Sequence, residues 1–314
     1  HDLGWAYGLP FGRIEAPILA GVMEASSARA VRITPWRVLV LEGAPAKQVD
    51  GLITDPADPR IAPYVSIRER DLTGGSDGRF IVEGKVTLGI LLSKSRFAVD
   101  SVFLAESRLE PLAGMLAQVP DGVPVYAAPQ EVLDAVAGFP MHRGILACAR
   151  KGAPVSREAL LGAPTLLVLN GLSNHDNVGA AFRNAAAFGA GGVLLDERSC
   201  DPLYRKSIRV SAGAALWLPF LHGGSSEDHL SWLEEAGYEV WAMTPRAGSE
   251  LLHEKRPARK TAVLLGPEGP GLADGLIARS TPVRIAMAGD FDSINVSTAG
   301  AVALAHIHAS RQSR

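Results

Sequence analysis

The sequence of 314 residues is poor in cysteine, in charge of either sign and in long apolar runs, and each shortage excludes a class of protein. Cys148 and Cys200 are the two cysteines, too few for a disulfide framework or a four-cysteine zinc site. Both read as small apolar residues of a reducing compartment. No run of about 18 apolar residues occurs, so no membrane-spanning helix is expected. The first residues lack a basic segment followed by an apolar one, the pattern of a secretion signal, and cytoplasm is the expected compartment. Net charge is −2, and division after Gly152 leaves 16 basic and 17 acidic residues before it and 15 and 16 after it. Neither half is a basic arm, which disfavours a partner gripped by bulk positive charge alone. Also missing are a Gly-Lys-Ser/Thr phosphate loop, a dinucleotide-type glycine spacing, a Gly-x-Ser-x-Gly elbow and a His-Glu-x-x-His pair. His306 and His308, two apart on a helix, cannot share a face, so no metal site is expected.

What is present is enough apolar residue, 47%, and enough length for two cored domains. Residues 1–50 are an extension without a motif, holding the apolar run Val38–Leu41. Three prolines make Asp55–Pro63 a turn, and the glycines of Asp71–Arg79 mark a flexible joint. Residues 51–150 read as a small α/β domain: strands at Phe80–Val82, Ser101–Ala105, Val123–Ala127 and Gly144–Ala149, with helices at Gly84–Ser93, Leu109–Gln118 and Gln130–Val136. Lys151–Pro154 is the expected linker to a second domain at 155–314. There, apolar runs at Leu166–Leu169, Val193–Asp196, Leu216–Phe220, Glu239–Met243, Ala262–Leu265 and Val283–Met287 alternate with helical stretches at Val178–Phe188, Leu203–Val210, Glu227–Glu235, Leu272–Ala278 and Asn295–Ser310. Continuous apolar strands between helices mark a parallel sheet covered on both faces, whose ligands bind at the carboxyl ends of the strands.

Three segments follow such runs. In Asn170–Ala185, Asn174 or Asp176 caps a helix whose narrow first turn, Gly179-Ala180, lets a backbone or ligand approach, and Arg183 lies six residues after Asn177. Leu264–Leu272 packs Gly266, Gly269 and Gly271 around Glu268 in a tight loop. Ile285–Ser297 ends a strand near Met287 and caps the last helix with Ser293 or Asn295. Each alone is an ordinary cap or turn. In this order they resemble the three motifs of the SpoU (TrmH) branch of SPOUT methyltransferases. Asn177, Gly179, Ala180 and Arg183 match the first motif; Gly266, Glu268, Gly269, Gly271 and Leu272 the second; Met287, Gly289, Ser293, Asn295, Val296 and Ser297 the third.

The resemblance implies a parallel-sheet α/β domain with a deep trefoil knot from about Leu264 to the end, against the usual ban on knots. It also implies homodimers packed through the knot, RNA as partner, and S-adenosylmethionine bound around Leu264, Gly266, Glu268, Gly269, Ile285, Met287, Ile294, Asn295 and Ser297. The implied reaction is methyl transfer to a ribose 2′-hydroxyl of RNA, ribosomal RNA slightly ahead of transfer RNA. Arg183, Asn177, Glu268, Ser293 and Asn295 are the catalytic candidates. Arginine is always charged, so Arg183 suits holding a phosphate and a developing alkoxide better than removing a proton. Arg183 with the cluster Arg205, Lys206 and Arg209 is the candidate RNA contact, while Lys255-Arg256 and Arg259-Lys260 read as plain surface charge. Residues 51–150, through Phe80–Ser93 with its Glu83-Gly84-Lys85, are similar to the small substrate-binding domain of the family, which resembles RNA-binding ribosomal proteins. A knotted enzyme that methylates bases and a catalytically silent RNA-binding protein are the alternatives.

Overall fold

The computed structural model describes the backbone of residues 3–8, 30–33 and 37–41, and residues 49–67, 78–289 and 291–313 in full. Most of the expected joint at Asp71–Arg79 lies outside the described residues. Strands β1 (Leu3–Gly8), β2 (Ala30–Ile33) and β3 (Arg37–Leu41) form an antiparallel sheet in the order β1-β3-β2.

The second sheet is built from β4 (Gly51–Leu52), β5 (Arg79–Glu83), β6 (Ala98–Ala105), β7 (Val125–Ala128) and β8 (Ile145–Arg150), in the order β4-β7-β6-β8-β5. Its helices are α1 (Lys85–Ser93), α2 (Ala113–Leu116) and α3 (Gln130–Ala137). Side chains alternate across β6: Phe103 joins Tyr64, Leu133 and Met141 on one face, and Val102 and Leu104 join Leu88 and Ile145 on the other. The expected helix Leu109–Gln118 is reduced to α2, because Pro111 interrupts the ladder, and a 3₁₀ turn at Glu106–Arg108 precedes it.

The third sheet is wholly parallel. Its strands are β9 (Thr165–Leu169), β10 (Val193–Leu195), β11 (Phe220–His222), β12 (Glu239–Met243), β13 (Glu250–Leu251), β14 (Thr261–Leu265) and β15 (Thr281–Arg284). They lie in the order β11-β10-β9-β14-β12-β15-β13. The helices are α4 (His175–Ala187), α5 (Arg205–Val210), α6 (Ser226–Glu235), α7 (Asp274–Ala278) and α8 (Val296–Gln312). Every residue of β9 and β14 is buried. Leu167, Leu169, Val263 and Leu265 face α4, α5 and α8, while Leu166, Val168, Ala262 and Leu264 face α6 and α7. Helix layers on both sides explain the unbroken apolar runs. Several expected elements shift at their ends. Leu216 ends a 3₁₀ turn, and the strand waits until Phe220. The last strand ends at Arg284, which releases Ile285–Met287 into a loop. The helix expected from Leu272 begins at Asp274.

The strand order positions the site. β14 lies between β9 and β12, with Leu265 in register with Leu169, and the Asn170 amide donates to the Leu265 carbonyl at 2.9 Å. The loops after β9 and β14 therefore leave the sheet side by side, where the strand order reverses. The aromatic rings of Phe80, Phe97, Phe220 and Phe182 run in sequence from the second sheet into the third, at centroid distances of 5.1, 6.5 and 5.6 Å.

Candidate active site

A cavity of about 760 Å³ opens at the carboxyl ends of β12, β14 and β15. Apolar side chains of Leu265, Val283, Ile285, Met287 and Ile294 line it, together with the loop 266–272. Gly266 is required by packing: a Cβ there would stand 2.8 Å from the Leu272 amide nitrogen. Gly269 and Gly271 take the left-handed region, φ 89° and 70°, and leave the rim of the loop uncovered.

Residues from all three motifs meet at this rim. The Asn177 side-chain amide donates to Glu268 Oε1 at 2.7 Å, and the Asn295 amide donates to Asn177 Oδ1 at 2.9 Å and to Glu268 Oε1 at 3.3 Å. Asn295 Oδ1 meanwhile accepts from the Ser297 amide at 3.0 Å and the Thr298 amide at 3.2 Å, capping α8. One side chain thus starts the last helix and ties it to the other two motifs. Asn184 extends the tie by donating to the Ser297 carbonyl at 2.9 Å.

The loop before α4 is held from below by Asp196, which is 1% exposed at the end of β10. Its carboxylate accepts from the Gly171 amide at 2.9 Å, the Ser199 hydroxyl at 2.7 Å, the Asn170 side chain at 3.1 Å and the Ser226 hydroxyl at 3.3 Å. Burial pushes its pKa up, but the Gly171 amide, the Ser199 hydroxyl, Arg198 and Ser226 outweigh it and hold the group below the usual carboxylate range. Asn174 caps α4 by accepting from the Asp176 amide. Gly179 admits α5, because a Cβ there would meet the Ser207 carbonyl at 2.8 Å. The close approach expected at this glycine is that of another backbone.

The expected site residues divide. Gly266, Glu268, Gly269, Ile285, Met287, Ser293, Ile294 and Asn295 line the cavity. Leu264 does not: strand alternation turns it into the core beside α6 and α7, and Leu265 lines the cavity in its place. Ser297 is also outside, 7% exposed, its hydroxyl donating to Asn295 Oδ1 at 2.6 Å. Arg183 is exposed on α4, apart from the cavity lining, with no carboxylate in ion-pair range among the described residues. Arg205, expected to contact RNA, instead pairs with the buried Glu83 of β5 and lies over the Phe139 ring. Arg209 and Arg143 stand 3.7 and 3.8 Å from the same carboxylate. Lys206 pairs with Asp176 at 2.6 Å. Lys255 is likewise no plain surface charge: its side chain is 12% exposed, bridging Glu239 and Glu250 at 2.9 Å each.

The match to known proteins follows the same stretch of chain. The model of the SpoU rRNA Methylase family matches residues 164–305, which contain all three rim motifs. An uncharacterized tRNA/rRNA methyltransferase of Mycobacterium bovis is 38% identical, over 83% of this chain and 94% of its own. The chain belongs to the SpoU family of RNA methyltransferases. Among solved structures, an RNA 2′-O ribose methyltransferase superposes with a TM-score of 0.65 at 27% identity, over 83% of this chain and 100% of that one. An AdoMet-bound rRNA methyltransferase from Sinorhizobium meliloti superposes with a TM-score of 0.68 at 21% identity, over 84% and 98%, and shares the fold.

Several residues of the SpoU cavity escape sequence reasoning. Met243 ends β12, Thr244 and Pro245 follow it, and Thr298 and Ala299 lie in the first turn of α8. The strand-end rule applied to every apolar run would have marked the first three. Nothing local marks the other two. Among the described residues no group of three His, Cys, Asp or Glu side chains is placed to hold a metal, and no helix is long and apolar enough to cross a membrane.

Proposed function

We propose that this SpoU-family chain transfers a methyl group from S-adenosylmethionine to a ribose 2′-hydroxyl of structured RNA in the cytoplasm, ribosomal RNA ahead of transfer RNA. The observation that carries the reading is the Asn177–Glu268–Asn295 triangle at the rim of an apolar cavity. The donor fits that cavity. Its volume, about 760 Å³, lies within the range of small-molecule sites; its walls are apolar, and the exposed Glu268 stands at the rim to face a cation. When bound, the donor supplies an electrophilic methyl on a sulfonium. The loop at Gly266, Glu268 and Gly269, with Ile285, Met287, Ile294 and Asn295, holds it.

The chain's remaining task is to align the acceptor oxygen and favour its negative charge. Asn177, Glu268 and Asn295, locked to one another, position the ribose together with Ser293. Arg183, permanently charged and unpaired among the described residues, holds an RNA phosphate and the developing alkoxide. In this reading residues 51–150 are the RNA substrate-binding domain, residues 155–314 the methyltransferase domain and residues 1–50 an extension. The chain from about Leu264 to the end is threaded as a trefoil knot, and two copies pack through it. The solved RNA 2′-O ribose methyltransferase at 27% identity supports the ribose over the base.

Nucleoside mass spectrometry of ribosomal and transfer RNA incubated with protein and donor tests the reading. A 2′-O-methyl nucleoside is expected, and Arg183→Ala lowers transfer about 100-fold while calorimetry shows donor affinity kept. A methylated base supports the base-modifying alternative, and an unchanged profile the silent RNA binder. Donor affinity falling in step with transfer would remove Arg183 from the acceptor side.

A further inference from the structure

A second cavity, of about 310 Å³, adjoins the first and shares Pro245, Ile285, Met287 and Phe291 with it. Phe291 stands between the two and is 69% exposed, the most exposed large apolar side chain among the described residues. Water is a poor environment for a phenyl ring, and an exposed flat ring at the mouth of two cavities is suited to stack on another flat ring. The other wall carries charge. Arg284, half-buried at the end of β15, donates through Nε to the Ser249 carbonyl at 3.4 Å and has no carboxylate in ion-pair range among the described residues. Arg246 shares its guanidinium with Asp274 at 2.6 Å, on a carboxylate that is 87% exposed. Asp292 adds an acceptor.

An aromatic face, two guanidinium groups and one carboxylate match the parts of a nucleotide. A base stacks on the ring, a phosphate accepts from arginine, and a hydroxyl or ring amine donates to the carboxylate. In-line methyl transfer requires the acceptor oxygen roughly 3–3.5 Å from the methyl carbon, so the acceptor pocket must share a wall with the donor pocket. This cavity does.

We propose that it receives the acceptor nucleotide of the RNA, with the base on Phe291 and the adjacent phosphate on Arg284, aided by Arg246. The assignment rests on the reading of the large cavity as the methyl-donor site of an RNA methyltransferase. Two other occupants are chemically conceivable: the carboxylate tail of the donor itself, and a second copy of the chain covering Phe291.

The test uses the full-length protein, unmodified 16S and 23S ribosomal RNA transcripts, and the variants Phe291→Ala, Phe291→Tyr, Arg284→Gln and Arg284→Lys. Phe291→Ala and Arg284→Gln are expected to lower kcat/KM for RNA about tenfold or more, a base-stacking contact being worth roughly that much. Phe291→Tyr retains most of the wild-type value, and Arg284→Lys recovers part of it. Calorimetry shows the donor Kd of Arg284→Gln unchanged within about threefold, since Arg284 lies in the second cavity alone. Independently of turnover, ultraviolet crosslinking followed by peptide mass spectrometry finds RNA attached to the peptide that carries Phe291. Donor affinity lost in step with RNA kinetics in Arg284→Gln assigns the cavity to the donor and overturns the proposal. Monomerisation of Phe291→Ala in sedimentation velocity, with no RNA crosslink there, overturns it in favour of a contact between copies. RNA methylation indifferent to Phe291→Ala overturns the subsite and leaves the proposed function standing. Failure of the wild-type chain to methylate any RNA overturns both.

Discussion

Asp196 shows how much a single buried carboxylate can organise. It joins the loop that leads into α4, the turn at Ser199 and the start of α6, so the position of Asn177 depends on it through the backbone. Its folded pKa is lowered, so its contribution is full above the unfolded value of about 4 and is lost as pH falls below that value through the folded pKa. Asp196→Asn should cost about 1–3 kcal/mol in urea denaturation at neutral pH, because the Gly171 and Ser199 donors lose a charged acceptor. The variant's stability should also fall less steeply than the wild type's below pH ~4. A separate loss arises from His229, fully buried, whose pKa burial lowers even though its Nε2 meets the Leu195 carbonyl at 3.2 Å. The unfolded ring takes up a proton near pH 6.5 that the folded ring does not, so stability declines from there downward in both proteins. An Asp196→Asn curve parallel to the wild type's below pH 4 would remove the role given to this carboxylate. Cys200, its thiol pushed up to about 12 by burial, is inert at neutral pH.

At the scale of elements, the contact between β5 and α5 joins the two larger sheets. Glu83, its side chain 7% exposed, faces Arg205 at 12%, with Arg209 and Arg143 at longer range. Lys151 and Asp201 pair at 2.7 Å across the same contact, and the Arg96 amide donates to the Leu216 carbonyl at 3.1 Å. A buried carboxylate among arginines stabilises only while the set is complete. Removing it in Glu83→Ala leaves Arg205 desolvated without a counter-charge. We expect a loss of about 3 kcal/mol, read in scanning calorimetry as a Tm lower by roughly 5–10 °C. Glu83→Gln, which keeps an acceptor, should lose less. Equal Tm values for Glu83→Ala and the wild type would mean that Arg205 finds other partners and is available to RNA. The arginine cluster on α5 was visible as a helical basic face, but the element opposite it was not. Residues 83 and 205 lie 122 apart in the chain, and no local pattern pairs them.

For the whole molecule, the near-neutral charge and the internal ion pairs point the same way. Arg205 and Lys255 are committed to carboxylates within the fold, so under the proposed function RNA is held by scattered cations such as Arg183 and by shape. Binding of a ribosomal RNA transcript should therefore weaken only moderately with salt. A slope of log K against log salt near −3 to −4 is expected, the value for about four or five phosphate contacts. A slope steeper than about −7 would show a broad basic surface that the described residues do not account for.

The amino-acid order alone determined the alternation of buried strands and helices in the C-terminal half, the glycine loop after Leu265 and the capped starts of α4 and α8, while the structure chose Asn174 over Asp176 and Asn295 over Ser293 as the caps. Each of these depends on residues within a turn or two of one another. The same local logic overran at Leu216, where apolar residues pack in a 3₁₀ turn, and at Leu109, where the chain makes a turn before the short helix α2, and it missed the two-residue strands β4 and β13, too short to carry a period. The tertiary structure decided that β14 lies between β9 and β12, that Leu265 rather than Leu264 borders the cavity, and that Asn177, Glu268 and Asn295 touch across 91 and 118 residues of chain. The physical reason is that strand order and the face each strand presents are set by burying both sides of one sheet at once, a condition on the whole chain that no local period contains.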